Sequence, residues 1–349
     1  MKDSESVLYE KEVKLCFISD IPEQVKNYFI YQLKAVSNIR IIFPEDFTEK
    51  NLNKLVSDAD ILIGWRPSKT LLLHAKKMKL FINPGAGIHH LIENFREINR
   101  KRDVILVNGH GNSYFVAQHT VALLLSLMNK IILHHNWMSN GIWRTGDNEA
   151  ASVPLRFRKI GLLGYGAINQ KVHKMLSGFK NNKFYIIRKN WNKQTTPIPT
   201  EIVKFEFNRL HEFLELIDIL IIAVPVTSLT KDIIREKELE LLGSNGLLVN
   251  VSRGEIINEE DLFIALKNRK ILGAAIDVWY NYDPKANGEG KKYPFHFPFH
   301  ELDNIVLSPH RGYSPFNDLL RWDEIIENIM KFAQGDHNLK NIVSLNEEY

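Results

Sequence analysis

The sequence predicts an α/β protein made of two doubly wound parallel-sheet domains, and three observations carry that prediction. Short apolar runs of strand length recur with helical segments between them, as strands buried on both faces of a parallel sheet require. The alternation begins again at Lys159, after a long helical stretch, so one α/β unit follows another. The 349 residues are 44% hydrophobic and 25% charged. That is ordinary globular usage, which excludes a disordered, collagen-like or repeat-array chain and suits roughly two domains.

In the first half, Val13–Ser19 reads as a strand ended by Asp20 and Pro22, and a helix follows to about Ala35. Ile39–Phe43, Ile61–Ile63 and Leu80–Ile82 read as further buried strands, with a helix over Leu71–Lys79. Gly85-Ala86-Gly87 and Gly109–Asn112 punctuate loops after strands. Ser113–Lys130 reads as one long helix capped by Asn112 or Ser113. Its apolar Val121–Met128 segment is expected to be buried between layers or at a subunit contact. In the second half, strands are expected over Lys159–Leu163, Lys183–Ile187, Ile217–Ala223, Gly246–Val251, Leu272–Ile276 and Ile305–Leu307. Helices include Asn169–Ser177 and Glu259–Lys267. Trp279–His300 reads as loop and Pro315–Gln334 as a closing helix.

Composition also bounds the function. Cys16 is the only cysteine, so a disulfide framework and a cysteine zinc ribbon are excluded and a reducing, cytoplasmic setting is expected. A net charge of +4 is small for this length, so no nucleic-acid partner is expected. No apolar run approaches the roughly 20 residues of a membrane span. The histidines show neither HExxH nor a Cys/His ligand spacing, so no metal is expected.

The stretch KIGLLGYGAINQKVHKML (Lys159–Leu176) is the most informative. An apolar strand runs into Gly164-Tyr165-Gly166 and a helix follows, and Gly164, Gly166, Ala167 and Ile168 are expected to bind the cofactor. Such a turn lets the backbone approach a pyrophosphate, whose charge the helix N-terminus favours. The third glycine of G-x-G-x-x-G is replaced by Asn169. A dinucleotide unit reading NAD usually has a carboxylate at the end of its second strand, for the ribose 2′-hydroxyl. Here no Asp or Glu occurs from Ala151 to Thr200, while ten Lys and Arg lie from Arg156 to Lys193. Arg188 and Lys189 end that second strand. Cations there suit a 2′-phosphate, so NADP is favoured and NAD remains the alternative.

Downstream, LLVNVSRGEIINEEDLFIALKNRKILGAAIDVW (Leu247–Trp279) and NIVLSPH (Asn304–His310) closely resemble signatures of the D-isomer-specific 2-hydroxyacid dehydrogenases. FINPGAGIHHL (Phe81–Leu91), VNGHGN (Val107–Asn112), VAQHTVALLLSL (Val116–Leu127) and AVPVTSLT (Ala223–Thr230) are similar to further segments of that family, in the same order along nearly the whole chain. The resemblance implies a Rossmann nucleotide lobe, residues 109–311, inserted into a flavodoxin-like substrate lobe built from residues 1–108 and 312–349. It also implies a homodimer formed through the nucleotide lobe, with a small 2-oxo or 2-hydroxy acid as the only other partner.

Reducing a 2-oxo acid requires a cation to hold the carboxylate and polarise the ketone, and a proton donor to the new hydroxyl. Arg253 matches the arginine of the family's NxxRG, and its planar fork suits carboxylate and carbonyl oxygens together. His310 matches the histidine of S/T-P-H and titrates near neutrality. The family's carboxylate partner of that histidine precedes a proline. In DVWYNYDP (Asp277–Pro284), Tyr282 occupies the aligned position and Asp283 stands one residue later. Either a one-residue bulge lets Asp283 serve, or Tyr282, a water or another loop residue orients the ring. By resemblance, Asp277 accepts from the nicotinamide carboxamide, and Val224, Pro225, Thr230 and Val251 line the cofactor. Gly85, Ala86 and Gly87 offer backbone amides to the substrate carboxylate; Arg66, in GWRPSKT, aligns with an arginine-bearing loop of the family, and Asn108 ends a strand and is expected to position loops. His296 and His300, in YPFHFPFHE, belong to an aromatic stretch expected to shape specificity. Two other readings stay open: a dinucleotide-sensing protein of the same fold with vestigial activity, and a formate- or phosphite-oxidising relative.

Overall fold

The computed structural model describes residues 11–144, 146, 148, 150–180, 182–194, 196–314 and 318–349. The chain divides into two compact units, Met1–Asn112 with Pro315–Tyr349, and Ser113–Ser314.

In the first unit, strands β1 (Val13–Phe17), β2 (Ile39–Ile42), β3 (Ile61–Ile63), β4 (Leu80–Asn83) and β5 (Ile105–Asn108) alternate with four helices. These are α1 (Glu23–Leu33), α2 (Glu49–Val56), α3 (Lys69–His74) and α4 (His89–Asn99). All the strands are parallel in the order β2-β1-β3-β4-β5, the flavodoxin-like order. β3 and β4 are buried at every position, which is why they read as unbroken apolar runs rather than alternating ones. One face packs Phe81, Phe95 and Leu72, and the other packs Phe17, Phe29 and Ile63 against the last helix. Beyond that helix, Val343 N–H donates to Leu106 O and Asn108 N–H to Asn341 O, so the chain's end covers the β5 edge.

The second unit opens with α5 (Ser113–Met128) and α6 (Ile131–Ser139). It continues through β6 (Lys159–Leu163), α7 (Ala167–Leu176), β7 (Lys183–Ile187), β8 (Ile202–Phe205), α8 (Leu210–Glu215), β9 (Ile219–Ile222), α9 (Glu236–Leu242), β10 (Leu247–Asn250), α10 (Glu259–Lys267), β11 (Gly273–Ile276) and β12 (Ile305–Leu307). Helix α11 (Asp323–Ala333) belongs to the first unit. The seven strands are parallel in the order β12-β11-β10-β9-β6-β7-β8. The chain therefore leaves β6 first toward β7 and later toward β9, which makes the gap between β6 and β9 the switch point of the sheet, where such folds bind ligands. Helix α5 lies against α7 and the β10–β12 strands. Its Ala117, Leu124 and Met128 join the core that holds Leu162, Val172 and Ile221.

Several expectations are corrected. The helix over Leu71–Lys79 is α3, capped at Ser68, whose Oγ accepts from Leu71 N–H at 3.1 Å. It stops at His74 because the Arg102 guanidinium takes the carbonyls of Leu72 and Ala75 at 3.3 and 2.5 Å. The long helix over Ser113–Lys130 ends at Met128, where Lys130 turns left-handed at φ 51° and α6 begins. The closing helix spans only Asp323–Ala333, after a short 3-10 turn at Leu319–Trp322, and Pro315 lies outside the described residues. Strand β8 is an edge strand with exposed Val203 and Lys204, so it lacks the apolar run by which its neighbours are recognised. The units change over at Asn112/Ser113 and Ser314/Pro315 rather than after Asn108 and Arg311. His110 N–H donates to Glu324 Oε1 at 2.7 Å and Gly111 lies against the Arg321 backbone, while Asp277 holds Arg311 and Gly312.

Candidate active site

Because the seven strands are parallel, the residues following them share one edge of the sheet. The register pairs Leu163 with Ile222, Asn250 with Ile276, and Ile276 with Leu307. The segments carrying Gly164, Val224, Arg253, Asp277 and His310 therefore leave the sheet at one level.

The turn after β6 is built for close approach. Gly164 has φ +84°, and a Cβ there would meet Val224 Cγ1 at 2.6 Å and Ala223 O at 2.7 Å across the switch point, so glycine is required. Gly166 is the N-cap of α7, and a Cβ on it would meet nothing within 4 Å. The first turn of α7, with Ala167 and Ile168, follows at the positive end of a helix that has no side-chain cap. Asn169 takes the third glycine's place and braces the turn: fully buried, it donates from Nδ2 to Leu163 O and Gly164 O at 3.2 and 2.7 Å.

At the end of β7, Arg188 is half-buried, lies over Trp191 and donates to Gln194 Oε1. Gln194 in turn donates to Thr196, and Thr196 Oγ1 to Gln170 Oε1. Lys189 beside it is exposed. Burial lowers the Arg188 pKa, offset by nearby Tyr165. The neighbourhood contains amides, hydroxyls and a cation. Such a turn and cation fit a dinucleotide with its pyrophosphate on α7. In the loop after β9, Thr230 Oγ1 donates to Pro225 O at 2.6 Å and accepts from Thr227 N–H at 2.8 Å, fixing that loop. Val224 and Val251 are buried.

Arg253 follows β10 in extended backbone, is half-buried and donates to Ser252 O at 2.6 Å. Buried Asn250 shapes its loop, accepting from Ser252 N–H and Oγ and donating to Arg253 O. A Cβ on Gly254 would meet the Trp279 backbone at 2.6 Å. Trp279 Nε1 donates to Ser308 O at 2.8 Å. Trp279 therefore ties the Arg253 loop to the strand end that leads to His310.

His310 stands left-handed, at φ 56°. Asp277 holds that conformation from β11: it accepts from Arg311 N–H at 2.7 Å, Gly312 N–H at 2.9 Å and Ser308 Oγ at 2.5 Å. His119 on α5 lies 2.9 Å from Ser308 Oγ and 3.3 Å from Asp277 Oδ1. Burial alone would raise the Asp277 pKa, and the bonds from His119, Ser308, Arg311 and Gly312 outweigh it, holding the carboxyl below the usual aspartate value. Both carboxylate oxygens are thus engaged in positioning the histidine loop, a role absent from the sequence reading. His119 was also missed there, because a histidine on an apolar helix gives no local sign of what it faces.

Tyr282 is the side chain beside the histidine. Its hydroxyl lies 3.4 Å from His310 Nδ1, with the two rings edge to face at 5.2 Å. Asp283 is exposed, its N–H donating to Asn281 Oδ1; the bulge that would have brought it to His310 is not formed. Burial, then the Arg253 cation, keep the His310 pKa below the ordinary histidine value, against the opposing pull of Asp277. In the following loop, His296 Nδ1 meets Glu259 Oε2 at 2.7 Å and His300 stacks on Tyr293 at 4.1 Å.

In the first unit, Asn83 and Asn108 stand opposite each other at the ends of β4 and β5. Asn83 Nδ2 donates to Gly85 O and Gly87 O, and Asn108 Nδ2 to Ala86 O. The carbonyls of the Pro84–Ile88 loop are thereby tied down, and among the described residues its Gly85, Ala86 and Gly87 N–H groups have no acceptor. Arg66, after β3, is exposed. Among the described residues no group of three His, Cys, Asp or Glu gathers as a metal site, and no single helix is long and apolar enough to cross a membrane.

A glycine turn at the switch point of a doubly wound sheet makes the second unit a dinucleotide-binding domain, and the acid–base and cationic groups on its edge give it the class of a nicotinamide-dependent oxidoreductase. Comparison with known proteins narrows the class. The family model for the D-isomer specific 2-hydroxyacid dehydrogenase, NAD binding domain, matches residues 121–312. A glyoxylate reductase of Thermococcus gammatolerans is 31% identical over 308 residues, covering 84% of this chain and 86% of that protein. A D-3-phosphoglycerate dehydrogenase of Methanocaldococcus jannaschii is 27% identical over 86% of this chain, which spans only 55% of that relative's length. In structure, a D-isomer specific 2-hydroxyacid dehydrogenase from Xanthobacter autotrophicus Py2, solved with NADPH and MES, gives a TM-score of 0.75 at 21% identity, covering 97% of this chain and all of the other. The chain belongs to the D-isomer-specific 2-hydroxyacid dehydrogenases, NAD(P)-dependent oxidoreductases that move a hydride between the nicotinamide and a 2-oxo or 2-hydroxy acid.

Proposed function

We propose that this protein is an NADP(H)-preferring reductase of a small 2-oxo acid of the glyoxylate or hydroxypyruvate class, yielding the D-2-hydroxy acid. The observation that carries the reading is that Arg253 and His310 follow β10 and β12, on either side of Asp277, which follows the intervening β11. The nicotinamide cofactor, held by the Gly164–Ile168 turn and the loops of Val224, Pro225, Thr230 and Val251, supplies the hydride when bound. Arg253 binds the substrate carboxylate and polarises its carbonyl, the charge acting most strongly where water is excluded. His310 gives its Nε2 proton to the carbonyl oxygen as the alcohol forms and takes it back in the reverse direction. Asp277 holds the His310 backbone, and a carboxylate in that place is also suited to orienting the nicotinamide amide. In the first unit by itself, the Gly85, Ala86 and Gly87 amides and the Arg66 cation are groups suited to a carboxylate.

The preference for NADP(H) rests on Arg188 and Lys189 at the β7 end, where a carboxylate would repel a 2′-phosphate. A two-fold dimer belongs to the same reading. It is supported by α6, which has no buried residue and leaves Ile131, Ile132 and Met138 half exposed; light scattering giving the mass of one chain would end it. The function itself is tested by oxidation of NADPH and NADH with glyoxylate, hydroxypyruvate, pyruvate and phenylpyruvate, and by formate and phosphite in the oxidative direction. Turnover with a 2-oxo acid that Arg253→Ala abolishes is the expected result. Absence of such turnover with every 2-oxo acid removes the reading.

A further inference from the structure

The partner of the catalytic-site histidine is a phenol instead of a carboxylate, and the two differ in what they do to an imidazole. A carboxylate only accepts, so it locks a proton on Nδ1 and its charge favours the imidazolium. A phenol accepts from Nδ1–H or donates to a bare Nδ1, and it carries no charge in either state. We propose that Tyr282 is the positioning residue of His310: its hydroxyl holds the ring through Nδ1 with Nε2 left for the substrate, and, unlike a carboxylate, it adds no negative charge beside the ring. This rests on the reading of His310 as the proton donor given above.

The geometry supports it from every element of the second unit packed around the ring. Tyr282 Oη is 3.4 Å from Nδ1, and the edge-to-face contact of the rings at 5.2 Å restrains χ rotation. Tyr313 lies on another side, also at 5.2 Å. The charged groups are Arg253, which disfavours a second positive charge, and Asp277, which favours one. The Asp277 carboxylate is committed to Ser308, Arg311 N–H, Gly312 N–H and His119. Glu255 acts on Tyr282 more than on the imidazole, and Arg311 next in the chain is exposed. Among the described residues no carboxylate hydrogen-bonds the His310 ring, whose side-chain partner is the Tyr282 hydroxyl.

In the reductive direction the donor is the imidazolium form of His310: its Nε2–H bond breaks and the proton goes to the carbonyl oxygen as the C=O π bond opens, while a bound nicotinamide would supply the hydride to the carbon. The neutral imidazole must then regain a proton from solvent before the next turnover. That reprotonation sets an alkaline limit on reduction that follows the His310 pKa, which burial and the Arg253 cation lower.

The test is the titration of His310 by NMR of 15N-histidine-labelled protein, which needs neither cofactor nor turnover. The chain has 13 histidines, so the His310 signal is found by its loss in His310→Gln. Tyr282→Glu is expected to raise the His310 pKa by about one to three units and to carry the alkaline limb of reductive kcat/KM upward with it. Tyr282→Phe is expected to move the pKa far less, yet to lower kcat roughly tenfold with KM for the oxo acid unchanged, the scale of one lost hydrogen bond. A His310 titration that stays in place in folded Tyr282→Glu, or wild-type kcat in Tyr282→Phe, overturns the proposal. Full reductase activity in His310→Gln would instead remove the catalytic reading and leave the titration result standing.

Discussion

Two sheet edges of this molecule have the same architecture and offer opposite chemistry. On the seven-stranded edge the proposed functional groups are side chains: Arg253, His310 and Arg188 follow β10, β12 and β7, with Asn250, Asp277 and Trp279 bracing the loops of the first two. On the five-stranded edge the groups are backbone amides, presented because Asn83 and Asn108 tie down the carbonyls of the Pro84–Ile88 loop. Parallel strands buried on both faces force all loops of one sense to one edge. What an edge can do is then decided by whether its loops are shaped to aim side chains or to bare the main chain. Charge and proton transfer require the first; holding a carboxylate by neutral donors needs only the second.

If this division is right, losses should scale with the kind of group removed. Arg253→Ala is expected to lower kcat/KM for a 2-oxo acid by roughly 1,000-fold, about 4 kcal/mol, as removal of a strong transition-state donor does. Arg253→Lys should recover little, since a point charge lacks the planar fork; steady-state kinetics on both variants decide it. Arg188→Ala should raise KM for NADPH by roughly 1.5–3 kcal/mol and leave KM for NADH nearly unchanged, the measure of one charge-assisted bond. Equal effects on the two cofactors would show that the cation does not read a phosphate. The smallest effect belongs to the amide edge. Asn108→Ala frees the Ala86 carbonyl, held at 2.9 Å, and should cost about 1–2 kcal/mol of stability in urea unfolding, with a few-fold rise in KM for the oxo acid. A kcat loss as large as that of Arg253→Ala would erase the distinction between the edges.

Much of this was legible in the chain, and what was not has physical causes. The buried strands β3 and β9 were visible because double-sided burial leaves them wholly apolar, and β6 and β10 because only Lys159 at the start of one and Asn250 at the end of the other break the run. Edge strand β8 was not, because exposure of Val203 and Lys204 breaks that run. The end of α3 was hidden because Arg102, far along the chain, takes its last carbonyls. At the site, Arg253, His310 and the Gly164 turn stand in local motifs, whereas His119 and Trp279 act only through contacts with residues distant in sequence.

The sequence by itself determined the two parallel sheets, the glycine turn and the residue types after each strand, since burial pattern and backbone requirements are local. Only the tertiary structure decided that Tyr282 and not Asp283 stands beside His310, that Asp277 clamps the histidine loop, and that Asn169 fills the third glycine's place. Those outcomes depend on how a loop without periodic pattern closes against three strand ends, and no single segment encodes that closure.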